Sequence, residues 1–158
     1  MMMVTHGLKT LPLTIHVPLK KVPQLITKEL IITKVKIAVD DLKILFSIKK
    51  PSVIITGLNP HAGENGDLGD EEVKVIKPAI EELKKLNNIS ITGPISADIA
   101  FSLEKRCNYD LAVCMYHDQA LIPIKTLDFH NGVNVTLGLD FIRTSPDHGT
   151  AFDIAGKS

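Results

Sequence analysis

The run Tyr109-Asp110-Leu111-Ala112-Val113-Cys114-Met115-Tyr116 decides the fold class. It lacks the apolar/polar alternation of a strand with one wet face, so both of its faces must be covered. Ser52-Val53-Ile54-Ile55-Thr56 is a second compact, β-branched run. Pro51 before it cannot continue a helix, and Gly57 follows it. Between and around these runs lie helical patterns. From Pro23 to Phe46 the apolar residues Ile31, Val35, Ala38, Leu42 and Leu45 recur at steps of four, three, four and three, with Lys28, Lys34, Lys36, Asp40 and Lys43 on the wet side. A second helix opens at Asp70-Glu71-Glu72, whose charge suits a helix N-terminus, and runs to about Leu86 with a kink or break at Pro78. Further strands are expected at Leu11 to Val17, Ile89 to Thr92 and Val133 to Leu137. A short helix is expected near Ala97 to Glu104 and another opening near Gly149. Buried strands alternating with helices predict an α/β fold with a mostly parallel sheet flanked by helices.

The chain has 158 residues, 44% of them hydrophobic, which suffices for one domain with a real core. Eighteen basic residues balance 18 acidic ones, so no net field draws it to nucleic acid or an anionic membrane. With 4% aromatics and no Trp, stacking platforms for single strands are also scarce. Cys107 and Cys114 form neither a disulfide framework nor a zinc-knuckle spacing, which points to a reducing compartment. The N-terminus has no basic segment followed by an apolar one, and no stretch reaches the roughly 18 apolar residues of a membrane span. A soluble, cytoplasmic protein is expected, with His6 in a frayed terminus. Sixteen of the basic residues are Lys and only Arg106 and Arg143 are Arg, which singles out the arginines.

Polar residues gather after the expected strands: His16, then Asn59-Pro60-His61, then Asp98, then His117-Asp118-Gln119. Strands of an open parallel sheet end on one edge, where ligands bind, so these side chains can converge. Three imidazoles, with Asp98 or Asp118 behind them, would form an open divalent-metal site. By spacing alone the signal is weak, because no pair has the i, i+4 separation of a helical metal motif, and any single histidine reads first as a surface or hydrogen-bonded loop residue. Lys125, Asn134 and Arg143 form a second set suited to an anion, for which solvated surface residues are the alternative reading. No Gly-x-Gly-x-x-Gly or Walker-type loop is present.

Gly57-Leu58-Asn59-Pro60-His61-Ala62-Gly63-Glu64-Asn65-Gly66, Met115-Tyr116-His117-Asp118-Gln119-Ala120-Leu121, Val133 to Leu139 and Phe141 to Ala151 are long and specific motifs. Together with Thr14 to Leu19 and Gly93 to Asp98, they resemble the 4-hydroxythreonine-4-phosphate dehydrogenase family of vitamin B6 (pyridoxine) biosynthesis. The resemblance implies an oxidoreductase that uses NAD or NADP to oxidise the 3-hydroxyl of 4-phosphooxy-L-threonine, with loss of carbon dioxide. A divalent metal (zinc, magnesium or cobalt) assists. It further implies metal ligands at His16, His61 and His117, substrate contacts at Lys125, Asn134 and Arg143, and acidic residues Asp98 and Asp118 lining the same site. No cofactor-binding residue is assigned. The implied fold is two-domain, like isocitrate and isopropylmalate dehydrogenases, in a homodimer with its active site at the subunit interface.

Family members are about twice this length, so the expectation is that residues 1–158 form the C-terminal half, with the N-terminal half and a terminal helix absent. Ser96, Asp128 and Asp140 replace the family's usual Pro, Gly and Pro. The expected partners are a small phosphorylated amino acid and either a second copy or a complementing N-terminal chain. The alternative is a truncated, inactive remnant that retains metal or phosphate binding.

Overall fold

A strand that is apolar on both faces needs a layer on each side of its sheet, and the chain supplies both. The structure, a computed structural model, describes residues 1–146 and Gly156. Among them, β1 (Met2–Thr5), β2 (Leu8–Pro12), β3 (Ser52–Thr56), β4 (Ser90–Ile95), β5 (Leu111–Cys114), β6 (Val133–Thr136) and β7 (Arg143–Pro146) form one sheet. Its order is β4-β3-β5-β2-β1-β6-β7. The four strands from β4 to β2 run parallel, and the remaining pairs are antiparallel, so the sheet is mixed. The helices are α1 (Val22–Leu25), α2 (Lys28–Leu45), α3 (Lys77–Leu83), α4 (Ala97–Ala100), α5 (Leu103–Arg106) and α6 (His117–Leu127).

Residue parity along β3 and β5 separates the two cores. Val53, Ile55, Leu111 and Val113 pack with Ile31, Val35 and Leu42 of α2 and Ile80 and Leu83 of α3. Ile54, Ala112 and Cys114 face the other way, onto Ala120, Leu121 and Ile124 of α6. This is the expected α/β architecture.

Local boundaries differ from the sequence reading for identifiable reasons. The terminus is not frayed: β1 and β2 form a hairpin through His6-Gly7, Gly7 takes a φ of +82°, and Met2 and Met3 are buried. The first expected strand ends at Pro12, yet Leu13 and Thr14 still donate backbone N–H to Cys114 and Met115. The long helix is divided at Thr27, whose hydroxyl caps α2 by accepting the Leu30 N–H at 3.1 Å. The short helix is likewise divided into α4 and α5, where Ser102 caps the second piece. Ahead of Pro78 the helix carries one π turn, Glu72–Ile76, and continues past the proline to Leu83. Sequence reasoning assigns no element between Tyr116 and Val133. In the structure α6 begins at His117 and carries Pro123 inside it. The helix expected near Gly149 lies outside the described residues. No helix among the described residues is long and apolar enough to cross a membrane.

Candidate active site at the sheet edge

Strand directions place the ends of β2, β3, β4, β5 and β6 and the start of β7 on one edge of the sheet. Asp98, His61, His117, His16 and Arg143 follow one another along that edge, in the order of their strands.

His16 and His117 meet there. The backbone beyond β2 stays tied to β5: Leu13 N donates to Cys114 O at 2.8 Å, and the Thr14 hydroxyl donates to Met115 O at 2.9 Å. The exposed His16 ring then stands 5.7 Å from that of half-buried His117, centroid to centroid, tilted by 45°. His117 Nδ1 lies 2.6 Å from Asp118 Oδ1. A carboxylate oxygen can only accept, so in the neutral ring this contact puts the proton on Nδ1 and the lone pair on Nε2.

His61 is presented differently. After Asn59 and Pro60 the backbone makes a left-handed turn, with φ between +41° and +78° from His61 to Asn65. Four of these five residues are not glycine, and each costs about 1–2 kcal/mol in this conformation. The compensation comes from Glu72, which is 1% exposed. Its Oε1 accepts the N–H groups of Leu58 at 2.7 Å and Asn59 at 2.8 Å, and its Oε2 accepts Asn59 Nδ2 at 3.0 Å. Hydrogen bonds to a charged group contribute about 1.5–3 kcal/mol each, a sum comparable with the strain. Gly57 and Gly63 are required against this carboxylate. A Cβ on Gly63 would lie 2.5 Å from Oε2, and one on Gly57 would lie 3.0 Å from Oε1. Sequence reasoning assigns Glu72 only to the helix dipole; the glycines around His61 were the available signal for a buried partner.

His61 shares a hollow of about 340 Å³ with Asn59, Ser96, Asp98, Tyr116 and Gln119. The Ser96 hydroxyl donates to Asp98 and, with the Ile99 N–H and the nearby His61, holds its exposed carboxyl below the ordinary range. Gln119 closes the floor. Its Oε1 accepts the Thr56 hydroxyl at 2.8 Å and Met115 N–H at 2.7 Å, and its Nε2 donates to Gly57 O at 2.9 Å.

The anion set is spread wider. Lys125 lies on the same face of α6 as His117 and Leu121, in a hollow of about 360 Å³, with its Nζ 5.1 Å over the Phe129 ring. Asn134 pairs with Met3 across the sheet and is half-buried. Its Oδ1 is buried without a hydrogen-bond donor among the described residues. Arg143 sits on the edge strand and donates to the Thr136 hydroxyl at 2.8 Å. Five strand spacings separate β7 from β3, roughly 24 Å. The fold therefore joins His16 to His117, sets His61 and Asp98 in the adjoining hollow, and leaves Arg143 apart. Among the described residues, no three His, Cys, Asp or Glu side chains gather closely enough to hold a metal ion.

The sequence profile of a family described as pyridoxal phosphate biosynthetic protein PdxA matches residues 1–158. A 4-hydroxythreonine-4-phosphate dehydrogenase of Zymomonas mobilis subsp. mobilis is 55% identical over 158 residues, covering 100% of this chain and 47% of that protein. The crystal structure of the Klebsiella pneumoniae 4-hydroxythreonine-4-phosphate dehydrogenase superposes with a TM-score of 0.86 at 41% identity, over 97% of this chain and 46% of that one. The corresponding Burkholderia phymatum structure gives 0.85 at 42%, over 99% and 48%. The chain spans about half the length of the curated relatives it matches.

Proposed function

We propose that this chain, which belongs to the pyridoxal phosphate biosynthetic protein PdxA family, is the C-terminal half of a 4-hydroxythreonine-4-phosphate dehydrogenase acting on 4-phosphooxy-L-threonine in the cytoplasm. The observation that carries this reading is the His16 and His117 pair, with Asp118 behind it, at the sheet edge where ligands bind. The donor chemistry fits a divalent ion such as zinc, magnesium or cobalt: two imidazoles stand together, and the Asp118 carboxylate leaves the Nε2 of His117 free to bind.

His16, His61 and His117 are the ligands of this reading. Among the described residues one chain gathers no three such groups, so in this reading the set is completed between two copies in a homodimer. Apolar side chains exposed on the α6 and β7 side, including Ile122, Phe129, Phe141 and Ile142, support such an interface. When bound, the ion supplies a Lewis acid for the substrate hydroxyl and for the carbonyl that oxidation and decarboxylation pass through. Asp98 and Asp118 orient the imidazoles. Lys125 and Arg143 neutralise the phosphate and carboxylate of the substrate, and the buried Asn134 amide orients it. NAD or NADP, when bound, would supply the hydride acceptor. The sequence offers no glycine-rich dinucleotide loop, and no residue here is assigned to that cofactor.

The test is zinc titration by calorimetry of the chain and of the His16→Ala, His61→Ala, His117→Ala triple variant. It is joined by an assay of NADH or NADPH formation from 4-phosphooxy-L-threonine with the N-terminal half of a relative supplied in trans. Zinc binding lost in the triple variant, and turnover lost in Lys125→Ala, are expected. Equal zinc binding by both proteins would remove the metal assignment. Turnover unaffected by Lys125→Ala would remove the substrate assignment.

A further inference from the structure

We propose that Glu72 is a positioning residue for His61: its buried carboxylate clasps the β3 exit from inside and holds the left-handed turn that presents the imidazole. The functional part of this inference rests on His61 being a metal ligand.

The β3 ladder ends where Gly57 N donates to Ile95 O at 2.8 Å, so the next two N–H groups, of Leu58 and Asn59, have no neighbouring strand to pair with. Both turn inward onto Glu72 Oε1. Among the described residues Glu72 has no ion-pair partner, and the hydrogen-bond donors to its carboxylate all come from this loop. The other oxygen abuts Gly63 and accepts the Asn59 amide, which Glu71 also accepts at 2.7 Å. The Asn59 amide in turn packs on Gly69, where a Cβ would come within 2.3 Å of Nδ2. The loop is thus held on both sides of His61, at 57–59 before it and at 63 and 69 after it.

His61 is the first left-handed residue of the run and is exposed toward Asp98. Strained backbone that persists only because its surroundings over-determine it is characteristic of functional sites. Here one buried carboxylate is what over-determines it.

The test compares isotope-labelled full chains by NMR: wild type, Glu72→Met, which fills the volume without an acceptor, and Glu72→Gln, which retains one. Gly63→Ala is added as an independent variant that intrudes on the carboxylate without replacing it. Strong intraresidue HN–Hα cross-peaks report the positive φ values of His61 to Asn65, and the His61 imidazole signals report zinc titration. Glu72→Met and Gly63→Ala should lose the loop signature and require about ten- to a hundredfold more zinc to shift His61, with β3 and β5 amides unchanged. Glu72→Gln should restore most of both readouts.

A Glu72→Met chain with the wild-type loop signature would overturn the proposal, as would a lost signature with wild-type zinc response. Should Glu72→Met fail to fold, a wild-type signature in Gly63→Ala would overturn it equally. A wild-type chain whose His61 never responds to zinc refutes the metal reading, and the loop signature then decides the role of Glu72 by itself.

Discussion

The imidazoles of His16 and His117 stand 5.7 Å apart although most of the chain lies between them, because the parallel pairing of β2 with β5 continues past Pro12 into Leu13 and Thr14. The pair is a consequence of one ladder, and its orientation depends on Asp118.

Replacing Asp118 by Asn exchanges a carboxylate acceptor for an amide that no longer favours the Nδ1–H tautomer of His117. Zinc affinity should fall about ten- to a hundredfold, with thermal stability unchanged because the side chain is exposed. Calorimetry and a melting curve on the same sample check both halves. Unaltered affinity would detach Asp118 from the site.

Gln119 ties the exits of β3 and β5 together through Thr56, Gly57 and Met115. In Gln119→Leu the fully buried Thr56 hydroxyl and the Met115 N–H lose this partner. A loss of about 1–3 kcal/mol is expected from the urea midpoint at constant slope. A change below about 0.5 kcal/mol would show that these groups find other partners.

The two thiols differ by location. Cys107 is exposed, whereas Cys114 is fully buried on β5, and burial pushes its thiol far above the ordinary range. Alkylation of the native chain at neutral pH should label Cys107 alone, with Cys114 labelled only in denaturant. Peptide mapping reads this directly. Native labelling of Cys114 would mean that the sheet opens readily beneath α6.

Lys28 and Glu82 join α2 to α3 at 2.6 Å on the surface. The hydrogen bond from Lys28 holds the Glu82 carboxyl below its ordinary 4.5, and Glu82 holds the ammonium above its ordinary 10.5. A lowered acid stabilises above its ordinary value and loses that contribution as pH falls through its folded pKa. A raised base stabilises below its ordinary value and loses it as pH rises through its folded pKa. Glu82→Gln should therefore lower the melting temperature slightly near neutral pH and low salt. The difference should vanish in strong acid and in about 1 M salt. A difference that persists in acid would assign the effect to packing instead.

Much of the fold is legible locally. The α2 stripe from Ile31 to Leu42 and the apolar run of β5 report their own faces, because side-chain period depends only on backbone geometry. The motifs around His61 and His117 are equally plain, being consecutive in the chain. Glu72 escaped because an acid at a helix start satisfies the dipole whichever way it points, and only packing turned it inward. The β1 hairpin escaped because a chain terminus carries no flanking signal, although His6-Gly7 marked its turn.

By itself, then, the sequence determined the class of the fold, the strands and the α2 and α3 helices that build the first core, the family, and the candidate residues one by one; the α6 side of the sheet came from the tertiary structure. Tertiary structure alone decided which of them meet. Hydrophobic periodicity specifies which face of a strand is buried but not which strand lies beside it, since that follows from backbone hydrogen bonds between segments far apart in the chain. The order β4-β3-β5-β2-β1-β6-β7 therefore brings His16 to His117, seats His61 beside Asp98, and leaves Arg143 on the outermost strand, far along the same edge.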